Sequence, residues 1–160
     1  MELYLLRHGI AEDAAIGRRD ADRALTSEGK RKLRDILKVA LDADLRPTLI
    51  LSSPYKRAKE TAAIAVKSFG YTGDVLETNA LVPNAHSHEL WEEVRMHKSE
   101  AKILLVSHEP LLGTAASHLL NSSGLRVDFK KGAIMRIDLE AFSFQPVGVL
   151  KWYLTPRLVP

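Results

Sequence analysis

Two apolar runs, Leu3-Tyr4-Leu5-Leu6 and Ile103-Leu104-Leu105-Val106, stop abruptly at polar residues, and the stretches between them carry apolar side chains at helical spacing. Runs of four fit buried strands and fall far short of a membrane span. Strand and helix patterns alternate along the whole chain with no repeat and no low-complexity linker, which favours an α/β fold. Strands are expected over residues 2–6, 48–51, 75–76, 102–106, 133–139 and 147–154. The last two are separated only by a turn through Gln145-Pro146, so they form an antiparallel pair on an otherwise parallel sheet.

The helix signals are equally local. Thr26 is an N-cap for a helix with Leu33, Ile36, Leu37, Ala40 and Leu41 on one face. Ser53-Pro54 opens a second helix as cap and first-turn proline, with Ala58, Ala62, Ala65, Val66 and Phe69 inward and Gly70 at its end. Pro110 suits the first turn of a third, built on Leu112, Ala115, Ala116, Leu119 and Leu120 and stopping near Asn121. Another helix is expected over 87–98, using Leu90, Trp91 and Val94. The polar stretch 9–25 reads as a long loop, and long loops in compact domains are often functional.

One hundred and sixty residues, 46% of them hydrophobic, are enough for a single domain with its own core, residues 1–160. With no cysteine, disulfides and thiol nucleophiles are excluded. Glu2 in place of a basic start, and Arg7 interrupting the first apolar stretch, argue against a signal peptide and make the cytoplasm the expected location. The net charge of +3 is too small to argue for nucleic acid, and only 6% of residues are aromatic. Neither a nucleic-acid nor a membrane partner is expected.

Chemistry collects where strands end. Arg7-His8-Gly9 comes directly after the first apolar run. Gly9 is expected to let the backbone leave the strand sharply and to leave space for a ligand. A second strand ends in Ser52-Ser53-Pro54-Tyr55-Lys56-Arg57, with Arg57 on the first turn of a helix, where anions are attracted. A third ends in Ser107-His108-Glu109-Pro110 and delivers another imidazole to a helix start. In a mostly parallel sheet these ends share one side, so Arg7, His8, Arg57 and His108 are expected in one pocket. Guanidinium groups grip phosphate oxygens bidentately, and an unprotonated imidazole can attack phosphorus. For that attack one ring nitrogen of His8 must be free while a nearby backbone carbonyl holds the other.

The constellation resembles the histidine phosphatase superfamily, which includes phosphoglycerate mutases and acid phosphatases. The residues that carry the resemblance are Leu6-Arg7-His8-Gly9, Leu25-Thr26-Ser27-Glu28-Gly29, Ser52-Ser53-Pro54 with Arg57-Ala58 and Thr61-Ala62, and Val106-Ser107-His108. Arg23-Ala24-Leu25-Thr26 and the segment from Ser107 to Gly113 are most similar to its SixA-type phosphohistidine phosphatase branch. The resemblance implies a three-layer, phosphoglycerate mutase-like sandwich, with helices on both faces of a mixed, mostly parallel sheet. It further implies that His8 is the nucleophile, that Arg7, Arg57 and His108 hold the phosphate, and that no metal or cofactor takes part. The implied activity is hydrolysis of a phosphoryl group from a protein histidine through phospho-His8, with a phosphotransfer or phosphorelay protein as partner and inorganic phosphate as product.

Phosphomonoesterases of this superfamily usually carry an acid for the leaving alcohol in the segment corresponding to 81–89. Here Leu81-Val82-Pro83-Asn84-Ala85-His86-Ser87-His88-Glu89 has none at the early position. An imidazole leaves more readily than an alkoxide, so the pattern points to a phosphoramidate. Glu12, Glu89 and Glu109 stay open as displaced acids, and with them a small-molecule phosphomonoesterase. A phosphate-binding regulatory protein without turnover is the third reading. The remaining polar residues carry less. His86 and His88 read as rim or exposed residues rather than metal ligands. His97 and His118 read as surface or half-buried residues, Asp20 and Asp22 as loop and cap residues, and Trp91 and Trp152 as core.

Overall fold

The computed structural model describes residues 1–159. Strands β1 (Glu2–Arg7), β2 (Leu49–Ser52), β3 (Val75–Glu77), β4 (Lys102–Ser107), β5 (Ile134–Leu139) and β6 (Gly148–Leu154) form one sheet. Their order is β3-β2-β4-β1-β5-β6. β1 runs parallel to β4, β4 to β2 and β2 to β3, while β5 is antiparallel to both β1 and β6. The sheet is therefore mixed and mostly parallel, closed on one edge by the expected antiparallel pair.

Side chains alternate across a strand, so each central strand feeds two cores. Leu3, Leu5, Leu51, Ile103 and Leu105 pack on the side of helices α3 (Ser87–Met96) and α4 (Leu111–Leu119). Tyr4, Leu6, Ile50, Leu104 and Val106 pack on the other side, under α1 (Ser27–Asp42) and α2 (Lys56–Phe69). Near-continuous apolar runs are what strands buried on both faces require. The result is the three-layer α/β sandwich.

Most local signals act as read. Thr26 Oγ1 accepts from the Gly29 N–H at 3.0 Å and caps α1. Gly70 closes α2 at φ 61°, a left-handed conformation that suits glycine. Asn121, just beyond α4, is also left-handed at φ 48°. Three details differ. α2 begins at Lys56 with Tyr55 as its N-cap, and the Ser53 side chain lies against the ring of His108 while accepting from the Tyr55 N–H. Pro110 is the N-cap of α4 rather than a residue of its first turn. Trp91 is fully buried, whereas Trp152 lies half-buried on β6, its ring 5.8 Å from that of Tyr4. An edge strand offers packing on fewer sides. Among the described residues no helix is long and apolar enough to cross a membrane.

Candidate active site

Arg7 lies opposite Ser107, and Ser52 opposite Val106, so β1, β4 and β2 run out together. Pairing continues one residue further. The His8 N–H donates to the Ser107 carbonyl at 3.0 Å and the Ser53 N–H to the Val106 carbonyl at 3.0 Å. Strand register thus delivers His8, His108 and Ser53 side by side, with Arg57 reaching in from the start of α2. All four are buried. The two imidazole centroids are 5.0 Å apart.

His8 is held at both nitrogens. Its Nδ1 lies 2.7 Å from the carbonyl oxygen of Gly9, and its Nε2 lies 3.2 Å from Arg57 Nε, which donates to it. An acceptor at Nδ1 and a donor at Nε2 fix one tautomer, with the proton on Nδ1 and the lone pair on Nε2. Burial, then Arg57, Arg7 and Lys131, push the His8 pKa down from 6.5 to about 3, against the opposing pull of the Gly9 carbonyl. At neutral pH His8 is an oriented, uncharged imidazole with its lone pair on Nε2. This is the arrangement that attack by an imidazole requires.

The backbone carrying it is clamped from two helices. The Gly9 N–H donates to Thr61 Oγ1 at 3.2 Å, and Thr61 Oγ1 donates to the Arg57 carbonyl at 2.7 Å. The Thr26 N–H donates to the Ile10 carbonyl at 2.9 Å, and the Thr26 hydroxyl joins it at 3.2 Å. A methyl group at Gly29 would run into the Ile10 carbonyl oxygen, and one at Gly9 into Leu33 and the Gly29 carbonyl. The two glycines therefore serve close approach of α1 to the His8 loop. The space beside Gly9, expected for a ligand, is occupied by α1.

Arg57 has a partner that sequence reasoning placed elsewhere. Asp20, read as a loop or cap residue, accepts from Arg57 Nη1 through its carbonyl at 2.8 Å and from Nη2 through its carboxylate at 3.0 Å. A 3-10 turn over Asp20–Asp22 brings it there. The same carboxylate bonds Arg23, and Arg23 first, then Arg57, hold its pKa below the ordinary range. Three donors of the guanidinium are used by His8 and Asp20, and two of the five N–H groups remain for an anion. The guanidinium lies 5.2 Å from the centre of the Tyr55 ring.

Arg7 Nη1 donates to the carbonyl of buried Phe129 at 2.6 Å, while its Nε is buried without a hydrogen-bond partner. Burial lowers the Arg7 pKa. His108 Nε2 lies 2.8 Å from Ser53 Oγ. Because Ser53 Oγ already accepts from the Tyr55 N–H at 3.3 Å, its own hydroxyl is paired only by donating to Nε2. That puts the His108 proton on Nδ1, which is also buried and unpartnered. Burial, then His8 and Arg57, lower the His108 pKa to about 2. Orphaned buried N–H groups are costly and rare. Two of them, on Arg7 and His108, in a pocket lined by cations mark an anion site.

The other candidates disperse. Glu12 pairs with Arg18 at 2.7 Å on the exposed loop. Glu89 accepts from the His86 N–H at 2.7 Å at the start of α3. Glu109 comes directly after His108 and accepts from the Gly113 N–H at 2.7 Å, and burial raises its pKa. His86 and His88 are exposed, with the His88 ring 5.7 Å from Phe144, and His97 sits 3.3 Å from Glu93. His118 is half-buried on α4, with Nε2 unpartnered. Among the described residues no three His, Asp or Glu side chains gather as metal ligands would.

Residues 3–81 match the family model of the histidine phosphatase superfamily, branch 1. An uncharacterised protein of Picosynechococcus sp. (strain PCC 7002) is 34% identical over 147 residues, covering 91% of this chain and 89% of its own. The fold is similar to that of the protein histidine phosphatase SixA complexed with tungstate, at TM-score 0.87 and 23% identity over 98% of both chains. It is also similar to a candidate phosphohistidine phosphatase SixA from Agrobacterium tumefaciens, at TM-score 0.83 and 26% identity over 97% of both. A small-molecule enzyme, the alpha-ribazole phosphatase from Shigella flexneri, shares the fold at TM-score 0.75 and 19% identity, over 98% of this chain and 97% of its own.

Proposed function

The chain belongs to the histidine phosphatase superfamily, branch 1, and on that premise we propose that it is a phosphatase acting on phosphohistidine carried by a phosphotransfer or phosphorelay protein. The observation that carries the reading is the state of His8. It is neutral, its Nδ1 is locked on the Gly9 carbonyl, and its Nε2 lone pair lies among Arg57, His108 and Arg7.

In this reading the equatorial phosphoryl oxygens take the two spare Arg57 donors, Arg7 Nε–H and His108 Nδ1–H. His8 Nε2 attacks phosphorus, exchanging its contact with Arg57 Nε for the new N–P bond. The N–P bond of the substrate breaks, and its imidazole leaves with a proton from solvent. Water then attacks phospho-His8 and releases inorganic phosphate, while His8 returns to the neutral form. Fixed donors that need no reorganisation supply the stabilisation as charge spreads over the oxygens. Of the three acids left open by the sequence, two are committed away from the pocket, Glu12 to Arg18 and Glu89 to the start of α3. That favours a leaving group needing little acid help. The similarity to SixA structures points the same way.

Glu109 supports a second reading, a small-molecule phosphomonoesterase, because its burial-raised pKa beside His108 suits a general acid. Wild-type protein and Glu109→Gln, each assayed on a phosphohistidine-bearing phosphotransfer domain and on an aryl phosphomonoester, separate the two. Phosphohistidine phosphatase activity predicts faster turnover of the domain, unchanged within about twofold by Glu109→Gln. Preference for the ester, lost about 100-fold in Glu109→Gln, would establish the second reading instead.

A further inference from the structure

A second basic surface begins where the phosphate site ends. Beside Arg7 a cleft of about 580 Å³ opens between α1, the 128–131 segment and the 3-10 turn over Pro156–Leu158. Among the described residues its walls carry Arg7, Lys32, Lys130, Lys131 and Arg157 against a single carboxylate, Asp128. Asp128 is itself tied to Lys130 at 2.6 Å, so the cleft is strongly cationic. Arg7 belongs to both places, which makes the two surfaces continuous. Of the other four cations only Lys131 acts on the phosphate site, through its charge on His8.

We propose that this cleft is the docking subsite for an acidic segment of the phosphorylated partner, lying next to its phosphohistidine; this rests on the phosphohistidine reading of the site. Charge complementarity assigns an anionic occupant. The construction of the cleft assigns a protein surface rather than a second phosphate of a small metabolite. A tight phosphate subsite uses convergent, desolvated donors of the kind found at Arg57 and His108. Here Lys130 and Lys131 are exposed, and Lys32 is already paired with Glu28 at 2.8 Å. The Lys130 backbone N–H is spent on the Tyr153 hydroxyl at 3.1 Å. Flexible cationic side chains spread over three elements, lysine ammonium groups on two of them and the Arg157 guanidinium on the third, steer an extended acidic face and hold it through several weak contacts.

Two synthetic phosphohistidine peptides, one flanked by four glutamates and one by four glutamines, test the inference on the wild type, on Lys130→Glu/Arg157→Glu and on Asp128→Asn. The glutamate peptide is expected to have a KM about tenfold lower than the glutamine peptide at low ionic strength, a preference that high salt abolishes. The double variant loses the preference while its kcat on free phosphoramidate stays within twofold, and Asp128→Asn strengthens it. Equal KM values for the two peptides in the wild type, or a preference that survives in the double variant, would overturn the docking subsite and leave the phosphohistidine reading standing. Hydrolysis of an aryl phosphomonoester with neither peptide turned over would overturn that reading, and the subsite with it.

Discussion

The ends of β1 and β4 are neighbours in register and each hands the next residue to the site as a histidine, yet the two imidazoles are held for different work. At the end of β1, His8 is engaged at both nitrogens, so its tautomer and ring plane are fixed before any substrate arrives. At the end of β4, His108 is engaged at Nε2 only and keeps a buried Nδ1 without a partner. The difference comes from the groups that face each ring. Gly9 turns its carbonyl back onto His8, and Arg57 closes on the other nitrogen. Ser53 holds His108 from the adjacent strand end. Equivalent positions in a sheet thus present one imidazole with a lone pair fixed at Nε2 and another with a spare buried Nδ1, and under the proposed function these serve as nucleophile and anion donor.

The largest expected break in that contrast is His8→Ala, which should reduce turnover of a phosphohistidine domain by about 10⁴-fold and abolish phosphoenzyme. Arg57→Ala should cost about 100- to 1000-fold, since it removes anion donors and the group facing Nε2 together. His108→Ala should cost about 100-fold but still yield phosphoenzyme in single-turnover experiments, because it removes a donor and not the nucleophile. Phosphoenzyme that disappears with His108 and persists without His8 would reverse the assignment.

A smaller effect concerns pH. Both histidines have folded-state pKa values far below 6.5, so the unfolded chain binds more protons as the solution is acidified. Their contribution to stability is complete above pH 6.5 and is lost as pH falls from there towards about 3. The urea midpoint should therefore drop between pH 7 and pH 4.5, and the drop should shrink in His8→Gln. An identical drop in that variant would place the acid sensitivity elsewhere. The smallest change is expected from Asp20→Asn, which keeps one oxygen for Arg57 but removes the charge. A loss of a few-fold in kcat/KM would mark Asp20 as a residue that positions Arg57, and unaltered kinetics would make the contact incidental.

Sequence made most of the site legible because Arg7, His8 and His108 stand directly after runs that announce themselves, and Arg57 lies on the first turn of a helix that does. Leu3 to Leu6 and Ile103 to Val106 read as buried strands, and Arg7, His8 and His108 stand at their ends. Leu33, Ile36, Leu37 and Ala40 declare α1 by spacing, as Ala58, Ala62 and Ala65 declare α2. What stayed hidden depends on contacts between distant residues. Asp20 reaches Arg57 across 37 positions and the Phe129 carbonyl reaches Arg7 across 122. Ser53 reads as the cap of its own helix, but its hydroxyl meets His108, 55 residues away, and α2 starts later, at Lys56. Gly29 looked like part of a helix start, and its close approach to Ile10 becomes visible only once α1 is packed against the His8 loop. Local periodicity carries no information about such partners.

The most direct test of the central claim is to trap the phosphoenzyme by rapid alkaline quench during turnover of a phosphohistidine domain and to locate the phosphoryl group by mass spectrometry and ³¹P NMR. The neutral Nδ1–H tautomer of His8 predicts an acid-labile phosphoryl group on His8 at Nε2. Attachment to His108, to His8 Nδ1 or to any carboxylate would contradict it.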